Sequence, residues 1–185
     1  MLKDSHIGYG LITIIFHWLC AILIIALFSL GIYMSELDYY SPWYHKAPEL
    51  HISLGLGLLA LMLLRLIWRS INPTPTALPT INARTMKAAS LVKIALYFLF
   101  FTLATTGYLI TTAEGHAANF FNLVSIPATV ELSSENVDRA GFIHEICAWS
   151  IIVVATLHAV AALFHHFVKR DRTLLRMLNP VKKIN

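Results

Sequence analysis

The stretch IHEICAWSIIVVATLHAVAALFHHF, Ile143–Phe167, carries four of the chain's nine histidines in an otherwise apolar run. A run of this length can cross a bilayer, which takes about 20 residues of helix. Imidazole is polar, and burying it in hydrocarbon without a partner is costly. The spacing tells where partners should sit. His144 and His158 are fourteen residues apart, close to four helical turns, so they share one face about 21 Å apart along the axis. His165 lies two turns further on that face, and His166 points elsewhere.

The remainder of the chain has the same character. Of 185 residues 57% are hydrophobic and 13% charged, a balance that belongs to membrane proteins. Four stretches are long enough to span: Tyr9–Met34, His51–Trp68, Ala88–Thr112 and Phe142–Val168. The fold class expected is an all-α membrane protein, a four-transmembrane-helix bundle. It forms a single integral-membrane domain over residues 1–185, with no soluble catalytic head. The first apolar run is too long for a signal peptide, and no small-x-small cleavage pattern follows it.

Lys/Arg bias sets the orientation. Arg69, Arg84 and Lys87 surround the linker with Pro73, Pro75 and Pro79. Lys169, Arg170, Arg172, Arg176, Lys182 and Lys183 follow the last span. Both regions belong in the cytoplasm, and four spans then put both termini there. The other two loops hold only Lys46 and Arg139 as bases, against Glu36, Asp38, Glu49, Glu114, Glu131, Glu135 and Asp138. The net charge of +4 thus reflects topology and gives no case for nucleic acid. Tyr39, Tyr40, Trp43 and Tyr44 suit an interfacial aromatic belt. In the longer loop, Ser133–Asn136 reads as the cap of a short helix. Cys20 and Cys147 lie at opposite depths, too far apart for a disulfide, and read as small buried residues.

With this topology, His17 lies at the depth of His158, and His51 at the depth of His144. Two facing histidine pairs result, His17/His158 inside and His51/His144 outside. Paired imidazoles across a bundle core suit axial ligation of haem iron. Zinc or copper fits less well, because two-histidine sites lack further ligands. Gly31, Gly55, Ala148, Ala155 and Ala162 leave room on the histidine faces, a pattern that also serves plain helix packing. Arg65, fourteen residues after His51, reaches the inner depth, where a haem propionate is a fitting partner for it. Snorkelling to lipid headgroups is the plainer reading of Arg65. His6, His45 and His116 read as loop residues.

At this point the sequence resembles the bacterial cytochrome b561 family. The likeness covers essentially the whole chain. It is carried by FHWL at Phe16–Leu19, HISLGLGLLALMLLRLIWR at His51–Arg69 with PTP at Pro73–Pro75, and IHE at Ile143–Glu145. The most specific part is LHAVAALFHHF with DRTLLRML at Asp171–Leu178. The resemblance implies two non-covalent b haems ligated by His17, His51, His144 and His158, in a multi-pass protein of the bacterial inner membrane. It also implies quinone-linked electron transfer. One kind of member takes electrons from superoxide at the outer face and passes them to ubiquinone.

Bis-histidine ligation leaves no open iron position, so the haems would relay electrons and leave oxygen alone. No catalytic residue is assigned. His165, with Lys169 or Arg170 nearby, is a candidate contact for a quinone at the inner side. The acidic outer loops disfavour an anion such as superoxide and suit a cationic donor, unless Lys46 and Arg139 form a local patch. Two further expectations stand beside a quinone-linked oxidoreductase. One is a non-catalytic subunit passing electrons to or from a separate dehydrogenase or reductase. The other is a haem-free histidine-lined transporter, disfavoured because the third span has no polar stripe beyond Thr105, Thr106 and Thr111.

Overall fold

A computed structural model describes residues 1–181. Lys182 and Lys183, counted above with the cytoplasmic bases, lie outside the described residues. Four helices dominate: α1 (Leu11–Ser35), α2 (Lys46–Ile71), α3 (Ala83–Thr112) and α4 (Ser134–Phe167). Each is long and apolar enough to cross a membrane, so the expected all-α membrane class with four transmembrane helices holds. In lipid every backbone group must be satisfied internally, and helices of this length do that.

Three helices begin earlier than the apolar runs, for local reasons. Asn82 Oδ1 accepts the Thr85 N–H at 2.9 Å and caps α3 five residues ahead of the expected span. Pro48 sits in the first turn of α2, where its missing N–H is harmless. The Ser133 carbonyl accepts the N–H groups of Asn136 and Val137. The expected separate short helix is therefore the first turn of α4, extended by the exposed Glu135–Arg139 pair.

The chain divides into two compact units, each containing part of all four helices. The first, the termini-side unit, comprises residues 1–21, 61–96 and 153–181. Its polar end is tied together by the terminal segments. The buried Asp4 accepts the Gly10 N–H at 2.6 Å and the Thr13 hydroxyl at 2.9 Å, and Trp68 Nε1 donates to that same hydroxyl at 2.9 Å. Trp18 Nε1 donates to the Met177 carbonyl at 2.7 Å. Arg176 donates to the Thr76 carbonyl, also at 2.7 Å.

The second, the loop-side unit, comprises Ile22–Ala60 and Tyr97–Ile152. Here Phe28 meets Trp149 edge to face at 4.9 Å. The loop after α3 folds into an antiparallel hairpin of β1 (Ala118–Phe120) and β2 (Val124–Ile126). Its turn holds Phe121 and Asn122 at positive φ, a conformation that asparagine tolerates and phenylalanine does not favour. The Ser53 hydroxyl fixes that turn, accepting the Phe121 N–H at 3.0 Å and donating to the Asn119 carbonyl at 3.2 Å.

The lipid-facing side of α4 is legible from exposure. Phe142, Ile146, Trp149, Val153, Leu157 and Val160 recur every three or four residues and are all exposed, which makes an apolar stripe along the helix. Cys20 and Cys147 are free and buried.

Candidate haem-binding site

The two units each hold one of the expected histidine pairs. In the loop-side unit the rings of His51 and His144 face each other with centres 6.3 Å apart. In the termini-side unit His17 and His158 stand 6.4 Å apart. Among the described residues no hydrogen bond joins the rings of either pair. The spacing has a simple physical reading. A metal ion between two imidazole nitrogens, at about 2.0 Å from each, keeps the ring centres roughly 6 Å apart once half a ring width is added on each side. The residues therefore fit a group that presents one metal ion to two histidines. Among the described residues no cluster of three or more His, Cys, Asp or Glu could hold a metal, so a protein-only zinc site has no support.

The loop-side pair borders a cavity of about 410 Å³, lined by Gly31, Gly55, Gly107, Ala148 and both histidines among others. That volume is ample for a small-molecule or cofactor site. His51 and His144 are held differently. His51 Nδ1 is buried with no hydrogen-bond partner, and the bare Cα of Gly31 lies beside it, where a Cβ would sit 3.5 Å from Cε1. His144 Nδ1 lies 3.0 Å from the Leu103 carbonyl and 3.2 Å from the Thr106 hydroxyl. That hydroxyl donates to the Thr102 carbonyl at 2.9 Å, so both neighbours accept and Nδ1 carries the ring proton. Nε2 is left with its lone pair, as a metal ligand requires.

Leu103, Thr106 and Gly107 all come from α3, which sequence reasoning left without a role in the site. A Cβ at Gly107 would lie 3.0 Å from His144 Cε1, so only glycine leaves that ring its place. Three other α3 hydroxyls turn back on their own helix, with Thr102, Thr111 and Thr112 donating to the carbonyls four residues earlier. This is how hydroxyls are satisfied in lipid.

In the termini-side unit Arg65 Nη2 lies 3.2 Å from His17 Nδ1. The guanidinium thus stands at the histidine pair, where an acidic group of a bound cofactor would meet it. His165 is not in this cluster. Its Nδ1 pairs with Asp171 at 2.5 Å, and Lys169 lies over the Phe164 ring at 5.9 Å.

Burial alone would raise the Asp171 carboxyl. Hydrogen bonds from Thr173 and His165 outweigh that and hold it below the ordinary carboxylate range. A carboxyl with a lower pKa folded than unfolded adds stability that is complete above the unfolded value and lost as pH falls through the folded one. The protection of the Thr173 amide against hydrogen exchange should therefore persist through pH about 4 and fail only below it. Loss of protection at a higher pH would contradict this.

Four membrane-crossing helices with histidines paired inside them define a class, the haem-carrying membrane electron-transfer proteins. Comparison with known sequences makes it specific: the family model described as prokaryotic cytochrome b561 matches residues 8–180, and the chain belongs to that family. It is 44% identical over 170 residues to cytochrome b561 homolog 2 of Escherichia coli (strain K12), covering 92% of this chain and 90% of the relative. It is 32% identical over 174 residues to a probable superoxide oxidase CybB of Yersinia pestis, covering 94% and 97%. To cytochrome b562 of Cereibacter sphaeroides it is 29% identical over 178 residues, covering 94% and 96%. The chain is thus a multi-pass bacterial membrane protein that transfers electrons with b-type haem.

Proposed function

We propose that the chain carries two b haems, one ligated by His51 and His144 and the other by His17 and His158. In this reading it relays electrons across the inner membrane between an outer donor and the quinone pool. The observation that supports it best is the near-identical ring separation of the two pairs. They share no sequence context, yet both stand at the spacing that one metal ion between the rings would need. When bound, haem supplies reversible one-electron chemistry. The protein's part is to hold and tune it. α3 fixes the His144 tautomer, Arg65 would offer a cation to a haem propionate, and His17, His51, His144 and His158 would hold the haem iron.

The Lys/Arg bias makes the termini side cytoplasmic. A quinone such as ubiquinone would then meet the termini-side pair, with His165 at that end of α4. The outer donor has two candidates. Superoxide is suggested by the name of the Yersinia pestis relative. A cationic donor protein, which makes the chain an electron-transfer subunit, is favoured by Arg139. Its guanidinium is paired with Glu135 at 2.5 Å, and this weakens the basic patch that an anion would need.

Pyridine haemochrome analysis of the purified protein should give two haems per chain, and dithionite reduction should give sharp α-bands. One haem or none would overturn the reading. Stopped-flow mixing with superoxide and with a short-chain ubiquinone then separates the donors. Haem reduction by superoxide at near-diffusional rates supports the oxidase. Slow reduction by superoxide, with a copurifying cationic protein, supports the subunit.

A further inference from the structure

Beyond α4 the chain closes on a carboxylate–imidazole pair that haem ligation does not require. We propose that Asp171 positions His165 as the proton-exchange group for a quinone that takes its electrons at the His17/His158 site. The proposal rests on the quinone reading given above.

Asp171 is only 7% exposed and is locked in place. Its Oδ1 accepts the Thr173 N–H at 2.8 Å, its own N–H donates to the His165 carbonyl at 3.1 Å, and Arg170 turns the chain back with φ of 52°. The Oδ2 atom meets His165 Nδ1. An ionised carboxylate only accepts, so Nδ1 keeps its proton and Nε2 is the nitrogen free to gain and lose one. A carboxylate behind an imidazole fixes the ring, the arrangement that general acid–base histidines use. The His165 side chain is 17% exposed, shielded yet reachable. It lies seven residues beyond His158, on the same helical face. Lys169 rests over the neighbouring Phe164 ring at 5.9 Å.

The chemistry balances. Reduction of one quinone to its hydroquinone consumes two protons and two electrons, and the electrons would come from haem held by the histidine pairs. One proton passes from His165 Nε2 to a quinone oxygen and is replaced from water. The other oxygen takes its proton from water directly. No further oxidant or reductant is needed.

The test follows re-oxidation of the dithionite-reduced holoprotein by decylubiquinone and, separately, by ferricyanide, which takes one electron and no proton. Asp171→Asn should lower the limiting rate with decylubiquinone by about tenfold or more with little change in half-saturation, and leave the ferricyanide rate unchanged. His165→Gln should match it, the double variant should be no slower than either, and Asp171→Glu should recover most of the rate. Haem content and α-band confirm the fold of each variant, and His165→Gln carries the test if Asp171→Asn does not fold. Equal slowing with both acceptors, a change confined to half-saturation, or no change would overturn the proposal by reducing the pair to a tie on the chain. A wild-type protein that decylubiquinone does not re-oxidise would instead overturn the quinone reading, and this proposal with it.

Discussion

His144→Ala is expected to purify with one haem per chain, and His158→Ala with one haem of different spectrum. Each substitution removes one of two axial bonds at one site and leaves the other site its full ligand set. The pairs lie in separate compact units, and changes without shared partners act nearly independently. The double variant should hold none, whereas His165→Ala, outside both pairs, should keep two. Pyridine haemochrome gives the count, and redox-resolved α-band spectra show which component is lost. Two low-spin six-coordinate haems remaining in either single variant would show that the replaced histidine is not a ligand. Loss of both haems in each variant, with helicity retained, would show one shared site where two are claimed.

The histidine pairs could be found in the sequence because helical periodicity is strict. Fourteen residues return a side chain to the same face, and alternating spans convert sequence position into depth, so His17 falls opposite His158 and His51 opposite His144. The contribution of α3 could not be found that way. Leu103 acts through its backbone carbonyl, which no residue type announces. Gly107 looks like any small residue at a helix contact until the ring of His144 is placed against it. In the sequence Thr106 reads only as a possible polar lining, and its distinction from Thr102 and Thr111 is that it also meets His144. The partner of His165 was hidden for another reason. Asp171 lies past the helix end and beyond a residue at positive φ, where periodicity has no hold. A local signal did exist, because Asp171 and Thr173 have the spacing of an Asx-turn, and such a turn brings a carboxylate back over the last turn of α4.

Glycine-to-alanine substitutions around the loop-side pair should rank by the space each ring has left. At Gly107 a Cβ would lie 3.0 Å from His144 Cε1 and 3.3 Å from Nδ1. The ring cannot simply retreat, because its Nδ1 is tied to Leu103 and Thr106 on that same helix. Either the tie stretches or Nε2 swings away from its mate on His51. Overpacking of this kind costs about 1–3 kcal/mol, roughly tenfold to a hundredfold in affinity if it falls on haem binding. At Gly31 the new Cβ would meet His51 Cε1 at 3.5 Å, an ordinary contact, and His51 Nδ1 has no partner to lose. Gly31→Ala should therefore retain two haems, while Gly107→Ala loses the one that His144→Ala loses and keeps the other. Thr106→Val separates the two causes at Gly107. It removes one acceptor from Nδ1 without crowding the ring, so it should keep the haem and change its potential, since hydrogen bonding to the second ring nitrogen tunes the iron. Full haem content in Gly107→Ala with both potentials unchanged would show that α3 does not set the position of His144.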